Sequence, residues 1–401
     1  MARSLAILFL ILLLWNGAGY ASESIRIIVF PFEGSTKENA SSWLNAGIAY
    51  SIAQQLEVRG VTVLHQKEVA VIVESLDLPP SAQLSHASMI RAAQRASANL
   101  LILGSYAGTR QNLNIGAKAL DLKTMRLSGN MVANGSISSL PQMENELAWT
   151  ILNNMGLEKS FSREKFQLKA RKAPNQAYAL FIESFSASNE SSRLALLLKA
   201  VEMYHDFREA HLQLGSIYFQ KGNCQKAMPH LNLGQTEAND NPESEFMRGT
   251  CYLQEDLPTK AIQNLSHVVA SFRSFEALNN LGIAYMHKGE YDLAFSALLE
   301  ARKLANSDST AALNMAILLH LQRRYFAARN IVEEAVKLHP RDGMLQFLVG
   351  FLQQAQGEKE KAASAFSKAK SLGVNVEKLQ AESPKTWTRA IFEMQPAKGM
   401  P

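Results

Sequence analysis

Few residues in this chain have the types and spacing that chemistry needs. Ser105 lies in Gly104–Gly108, GSYAG, between two glycines, which is the setting of a strained nucleophile. The serine stands one place too early for G-x-S-x-G, and the surrounding residues read as the end of a strand, so acyl transfer is not expected there. The chain has neither a G-x-x-x-x-G-K-[ST] phosphate loop nor an H-E-x-x-H pair. Its nine histidines are scattered. Two of them, His287 and His320, fall in neighbouring segments of the chain's second half, but no thiolate or carboxylate stands at matching sites, and they read as solvated or hydrogen-bonded rings. Two cysteines, Cys224 and Cys251, are the only thiols. SFSREKFQLKARKAP, 160–174, carries Lys or Arg at 163, 165, 169, 171 and 172. It reads as a solvated linker or helix surface, with a contact to anionic lipid or an acidic partner as the other use. No catalytic residue, metal site or cofactor is therefore expected, and the chain reads as a non-enzyme.

The start of the chain bears on the thiols. After Arg3, Leu5 to Trp15 (LAILFLILLLW) is an unbroken apolar run of eleven, followed by turn formers and Gly19-Tyr20-Ala21. This pattern predicts a cleaved leader over 1–21, since a spanning helix needs roughly 20 apolar residues. The alternative is a membrane anchor. No cysteine follows the expected cleavage site, which argues against a lipoprotein anchor, so the expected location is periplasmic or secreted, with membrane contact at most peripheral. In an oxidising compartment two thiols can bridge. The rest of the chain has ordinary globular composition: over the full length 47% of residues are hydrophobic, 19% are charged, and the net charge is +5. That charge is too mild and dispersed for a nucleic-acid binder.

The positioning elements follow from a recurrence of side-chain size. Gly215, Gly249, Gly282, Ala316 and Gly350 recur at an interval of about 34 residues. Twelve places after each stands Ala227, Ala261, Ala294, Ala328 or Ala362. Tyr218, Tyr252 and Tyr285 stand three after the first three glycines. Gly222, Gly289 and Gly357 fall at mid-repeat, with Pro242 and Pro340 near the joints. Two antiparallel helices approach closely only where their crossing carries small side chains, and each pair then needs the next to cover its apolar face. The alternative is a generic helical bundle.

The pattern LG-x-x-Y, then A-x-x-x-L/F-x-x-A, resembles the tetratricopeptide repeat. The resemblance implies five copies over about 207–374 and a sixth, degenerate copy before them, in which Ala177, Leu180, Leu197 and Ala200 fit but Phe181 replaces the small residue. It also implies that the first helix of each pair lines a concave groove. The lining residues would be Leu212, Ser216 and Phe219; Phe246, Thr250 and Leu253; Asn279, Ile283 and Met286; Leu313, Ile317 and His320; Phe347, Phe351 and Gln354. This set is apolar, and of the polar residues that relatives use to clamp a carboxylate only Asn279 is present. Something must cover such a groove: a helical or apolar segment of a protein partner, or the chain's own end, where Trp387, Ile391 and Phe392 have helical spacing. In stacked repeats Cys224 and Cys251 lie toward the same end of adjacent helices. That permits a disulfide; two buried thiols are the alternative.

Residues 24–157 do not repeat. IRIIVFPF opens as a strand, WLNAGIAYSIAQQL has Leu44, Ile48, Ile52 and Leu56 on one helical face, and three later segments read as strands, the last two alternating, before a helix around 140–155. This predicts an α/β domain with a mixed sheet. VFPFEG, WLNAGIAYSIAQQL, ANLLILGSYAG and AKALDLKTMRLSG together resemble the amino-terminal domain of the TolB family, which includes the CsgG and FlgO relatives. The resemblance implies protein contacts within an envelope complex.

The expected organisation is a leader (1–21), an α/β domain (24–157), a basic linker (158–173), an all-α solenoid of about six repeats (174–376), and a capping helix and tail (377–401). The expected function is an exported scaffold that binds a protein partner in its groove. The alternative is an oligomerising, outer-membrane-associated assembly or secretion component whose repeats recruit partners.

Overall fold

A computed structural model of the chain describes residues 25–36, 43–58, 61–64, 66–76, 84–157, 162–235, 242–305 and 308–392. The leader expected at 1–21 lies outside them. The chain forms two compact units, divided between Ser188 and Asn189.

The first unit is α/β. Its strands are β1 (Ile25–Val29), β2 (Glu33–Thr36), β3 (Val61–Val63), β4 (Leu100–Gly108), β5 (Leu113–Asp121), β6 (Arg126–Leu127) and β7 (Met131–Gly135). The order is β3-β1-β4-β5-β6, with β2 beside β4 and β7 beside β5. β1 pairs in parallel with β3 and β4, and β2 also runs parallel to β4. From Leu100↔Asp121 to Gly108↔Leu113 the ladder is antiparallel, so the sheet is mixed. Period-two alternation sends Ile28 and Phe30 to one face, where they meet Val73 of α2 (Gln66–Glu74) and Met89 of α3 (His86–Arg95). α1 (Trp43–Leu56) packs on β1, and α4 (Leu140–Asn154) packs on β5 and β7. The fully buried row Leu44, Ile48, Ile52 and Leu56 shows why α1 is helical: the i, i+4 stripe is its core face.

Ser105 lies within the β4–β5 ladder opposite Gly116, so the backbone there is regular strand and not a sharp turn. Gly104 has a packing role. A Cβ on it would lie 2.3 Å from the ring of Phe32.

The basic stretch folds back on the first unit. In α5 (Arg163–Gln167) Phe166 is buried against Trp149, with ring centroids 5.4 Å apart. Lys169 Nζ donates to the carbonyls of Gln55 and Glu57, and Arg171 Nε donates to Glu144 at 3.0 Å. The next helix, α6 (Asn175–Glu183), also belongs to this unit. Tyr178 donates to the Gly47 carbonyl at 2.9 Å, and Phe181 meets Tyr50 edge-on. Phe181, which breaks the small-residue rule of the repeat, is therefore an anchor for α1.

The second unit is helical. After α7 (Glu190–Met203) come five antiparallel pairs: α8 (Arg208–Gln220) with α9 (Cys224–Leu233), α10 (Pro242–Gln254) with α11 (Pro258–Ser271), α12 (Phe275–Lys288) with α13 (Tyr291–Leu304), α14 (Ser309–Leu321) with α15 (Tyr325–Leu338), and α16 (Gly343–Ala355) with α17 (Lys359–Ser371). A short α18 (Val376–Ala381) follows, making 18 α-helices among the described residues. No helix among them is long and apolar enough to cross a membrane.

The glycines mark where the helices of a pair touch. A Cβ on Gly215, Gly249, Gly282 or Gly350 would lie 2.6–2.7 Å from Leu231, Leu265, Leu298 or Phe366, sixteen places on. In the fourth pair, Ala316 faces the smaller Val332, and both are fully buried. The turns between paired helices are equally regular. Gly222, Asp256, Gly289, Arg323 and Gly357 all adopt positive φ, from 54° to 89°, one per repeat. Glycine takes this conformation freely; Asp256 and Arg323 adopt it against their Cβ atoms.

Candidate functional site

The first helices α8, α10, α12, α14 and α16 line a groove, and residues 387–392 lie in it. α18 leads into a 3-10 turn, Pro384–Trp387, and at Thr388 the backbone is extended. The helical spacing of Trp387, Ile391 and Phe392 predicts a helix here; the groove instead holds a non-helical segment that enters it extended at Thr388. The reason is on the groove floor. Asn314 Oδ1 accepts the Arg389 N–H at 2.8 Å and its Nδ2 donates to the Arg389 carbonyl at 3.0 Å. One repeat earlier, Asn280 does the same to Ile391, at 2.9 and 2.8 Å. Each side-chain amide thus bonds both main-chain groups of one residue, at positions i and i+2. In a helix those groups would already be bonded within the helix.

The asparagines orient one another. Asn279 Nδ2 donates to the Arg389 carbonyl at 3.1 Å and to Asn280 Oδ1, while its Oδ1 accepts from Asn314. Thr250 Oγ1 accepts from Asn280 Nδ2 at 2.9 Å. All three asparagines are fully buried, and the network meets their hydrogen-bonding needs, which such groups require away from water.

Side chains fix the segment at three further points. Trp387 stands edge-on to Phe347 and Phe351, with centroids 4.9 and 4.6 Å away, and its Nε1 donates to the Leu379 carbonyl. Arg389 makes a two-pronged ion pair with Asp342, Nη1 to Oδ2 at 2.9 Å and Nη2 to Oδ1 at 3.0 Å. Phe392 packs on Phe219 at 5.3 Å. Burial raises the pKa of Asp342. The Arg389 hydrogen bond and charge, the Ser309 hydroxyl and the Leu345 N–H outweigh that effect, and the carboxyl sits at about 2. Asp342 also caps α16 through the amides of Met344 and Leu345.

The sequence-derived lining residues divide accordingly. Asn279, Phe219, Phe347 and Phe351 touch the segment. Met286, Leu313 and Ile317 share the Trp387 cluster, while Phe246, Leu253 and Ile283 share the one against which Ala390 and Phe392 pack. Leu212 lies instead beside Gly234, the C-cap of α9. His320 meets Phe351 and Tyr325, and His287 faces Asp256 and the Lys385 carbonyl. Among the described residues no group of three or more His, Cys, Asp or Glu is placed to hold a metal ion. Cys224 and Cys251 are joined by a disulfide, Cα to Cα 5.2 Å, which ties α9 to α10.

Residues 246–309 match the family model of the tetratricopeptide repeat. The second unit carries tetratricopeptide repeats. Over 234 residues, 56% of its length, the chain is 25% identical to BBSome complex member BBS4 of Bos taurus, and it spans 45% of that relative's length. Among solved structures it is similar to MamA MSR-1 (19% identity, 41% of this chain, 95% of that chain, TM-score 0.36) and to the MamA RS-1 ArsTM double mutant (18%, 43%, 96%, TM-score 0.37). Likenesses of that degree say nothing of function.

Tetratricopeptide-repeat phase also shows what the set of lining residues lacked. Asn280 and Asn314 stand at the same place in adjacent repeats, two before Gly282 and Ala316. The other three repeats have Gln213, Met247 and Leu348 there. That coincidence of two amides in phase is a visible signal. Asp342 gave none, since as an N-cap it reads as a helix start.

Proposed function

We propose that the chain is an exported, non-enzymatic scaffold that holds an extended segment of a partner protein along the concave side of its repeats. One observation carries the reading: Asn280 and Asn314 each bond both main-chain groups of a residue lying in the groove. Recognition of that kind addresses polypeptide backbone, and tetratricopeptide-repeat domains bind protein partners. The apolar run Leu5–Trp15 and the Cys224–Cys251 bridge support an oxidising, extracytoplasmic location. To the amino-terminal unit, on its resemblance to the TolB family, we assign contacts within an envelope complex.

The test is an affinity pull-down from envelope extract of the source organism, comparing wild type with Asn280→Ala plus Asn314→Ala, alongside thermal melts of both. A partner retained by wild type and lost from a double variant that still melts cooperatively supports the scaffold. Equal recovery of every partner contradicts it. Export is checked on the same material, where the recovered protein should begin after Ala21.

A further inference from the structure

Resting on the scaffold reading, we propose that the partner segment has the pattern of the present occupant: aromatic, any residue, arginine, any two residues, aromatic. It lies extended from the fifth repeat toward the first, and Trp387–Phe392 is a tethered competitor that it displaces.

The asparagine pairs set conformation and direction but not sequence. Their contacts are to the N–H and C=O of Arg389 and Ile391, which any extended chain of the same polarity supplies. Sequence is read at the flanking points. The two faces of Phe347 and Phe351 that hold Trp387 select a flat ring. The Asp342 carboxylate is fixed by Ser309 and two backbone amides and presents both oxygens in the plane that a guanidinium matches and an ammonium does not. Ala390 packs on the cluster around Phe246, and Phe219 takes the closing aromatic. Without an occupant these rings would form an exposed apolar face. The tail thus keeps the groove closed until another segment takes its place. A short tether gives the tail an effective concentration on the order of millimolar, so a free segment of equal quality binds the intact chain weakly.

The test uses the full-length chain and a labelled peptide, SPKTWTRAIF, corresponding to 383–392, read by fluorescence anisotropy. The peptide should bind the Trp387→Ala plus Arg389→Glu variant at least tenfold more tightly than wild type. Peptides with Trp→Ala or Arg→Glu should lose at least tenfold on that variant. Equal binding to wild type and variant overturns the competitor. Equal binding of a scrambled peptide overturns the pattern while leaving the scaffold reading intact, as does a pulled-down partner that excess peptide fails to displace. Should the variant not fold, a protease site between Glu382 and Ser383 of the wild-type chain substitutes for it. After cutting, labelled peptide should exchange with the severed tail, and no exchange overturns the proposal.

Discussion

In each repeat one small residue sets how near two helices come, and its partner's size is matched to it. Gly282 is opposed by Leu298, whereas Ala316 is opposed by Val332. Gly282→Val should therefore destabilise the helical unit by about 1–3 kcal/mol through overpacking, read by chemical denaturation. Adding Leu298→Val should recover part of that loss; a neutral single variant would contradict the contact. Arg323 is the reverse case, a non-glycine residue at φ 60° in a turn where three other repeats have glycine. Arg323→Gly should raise stability by about 0.5–1 kcal/mol, with no change expected in the fold. These positions were legible because their meaning is local: size and conformation recur once in every repeat. Asn280, Asn314 and Asp342 were not legible in the same way. Their partners, Ile391 and Arg389, lie far along the chain, at separations of 111, 75 and 47, and no spacing rule connects a repeat to a tail outside it.

At the level of elements, the recurrence of small residues at an interval of about 34 located α8 to α17, since a helix such as α14, buried without a break from Thr310 to Leu319, shows no single stripe. It did not locate the fate of 162–173, where a basic composition reads as a solvated linker. Arg171 and Lys169 are instead internal partners for a carboxylate and two carbonyls, a use of charge that composition does not distinguish from solvation. The tail shows a similar limit. Trp387, Ile391 and Phe392 fit a helix, yet main-chain hydrogen bonds from the groove outweigh that local preference. The disulfide joins the second helix of one repeat to the first of the next, across a sequence separation of 27. Its reduction should lower the stability of the helical unit by about 3–4 kcal/mol on a loop-entropy basis. Melts with and without reductant check this, and identical curves would mean that the bridge contributes nothing.

For the whole molecule, the two units should respond differently to pH. In the first unit, burial pushes Glu144 up to about 7, against the opposing effects of Arg171 and the Ser51 hydroxyl. The folded state therefore binds a proton more readily than the unfolded chain between the ordinary value of 4.5 and about 7. The Glu144 contribution to stability is fully present below 4.5 and is lost as pH rises through about 7. Glu144→Gln should flatten that slope in the first unit and leave the melting of the helical unit unchanged; an unaltered slope would contradict the assignment. The mixed sheet and the helical solenoid were both readable from alternation and periodicity. What makes the solenoid a site, a groove holding backbone, appeared only with the fold.

That claim is tested most directly by amide hydrogen exchange at Arg389 and Ile391 in the wild-type chain. The account predicts that both amides are protected, and that Asn280→Ala plus Asn314→Ala returns them to the rate of a free peptide while α12 and α14 stay protected. Free-peptide exchange of both amides in the wild type would contradict it.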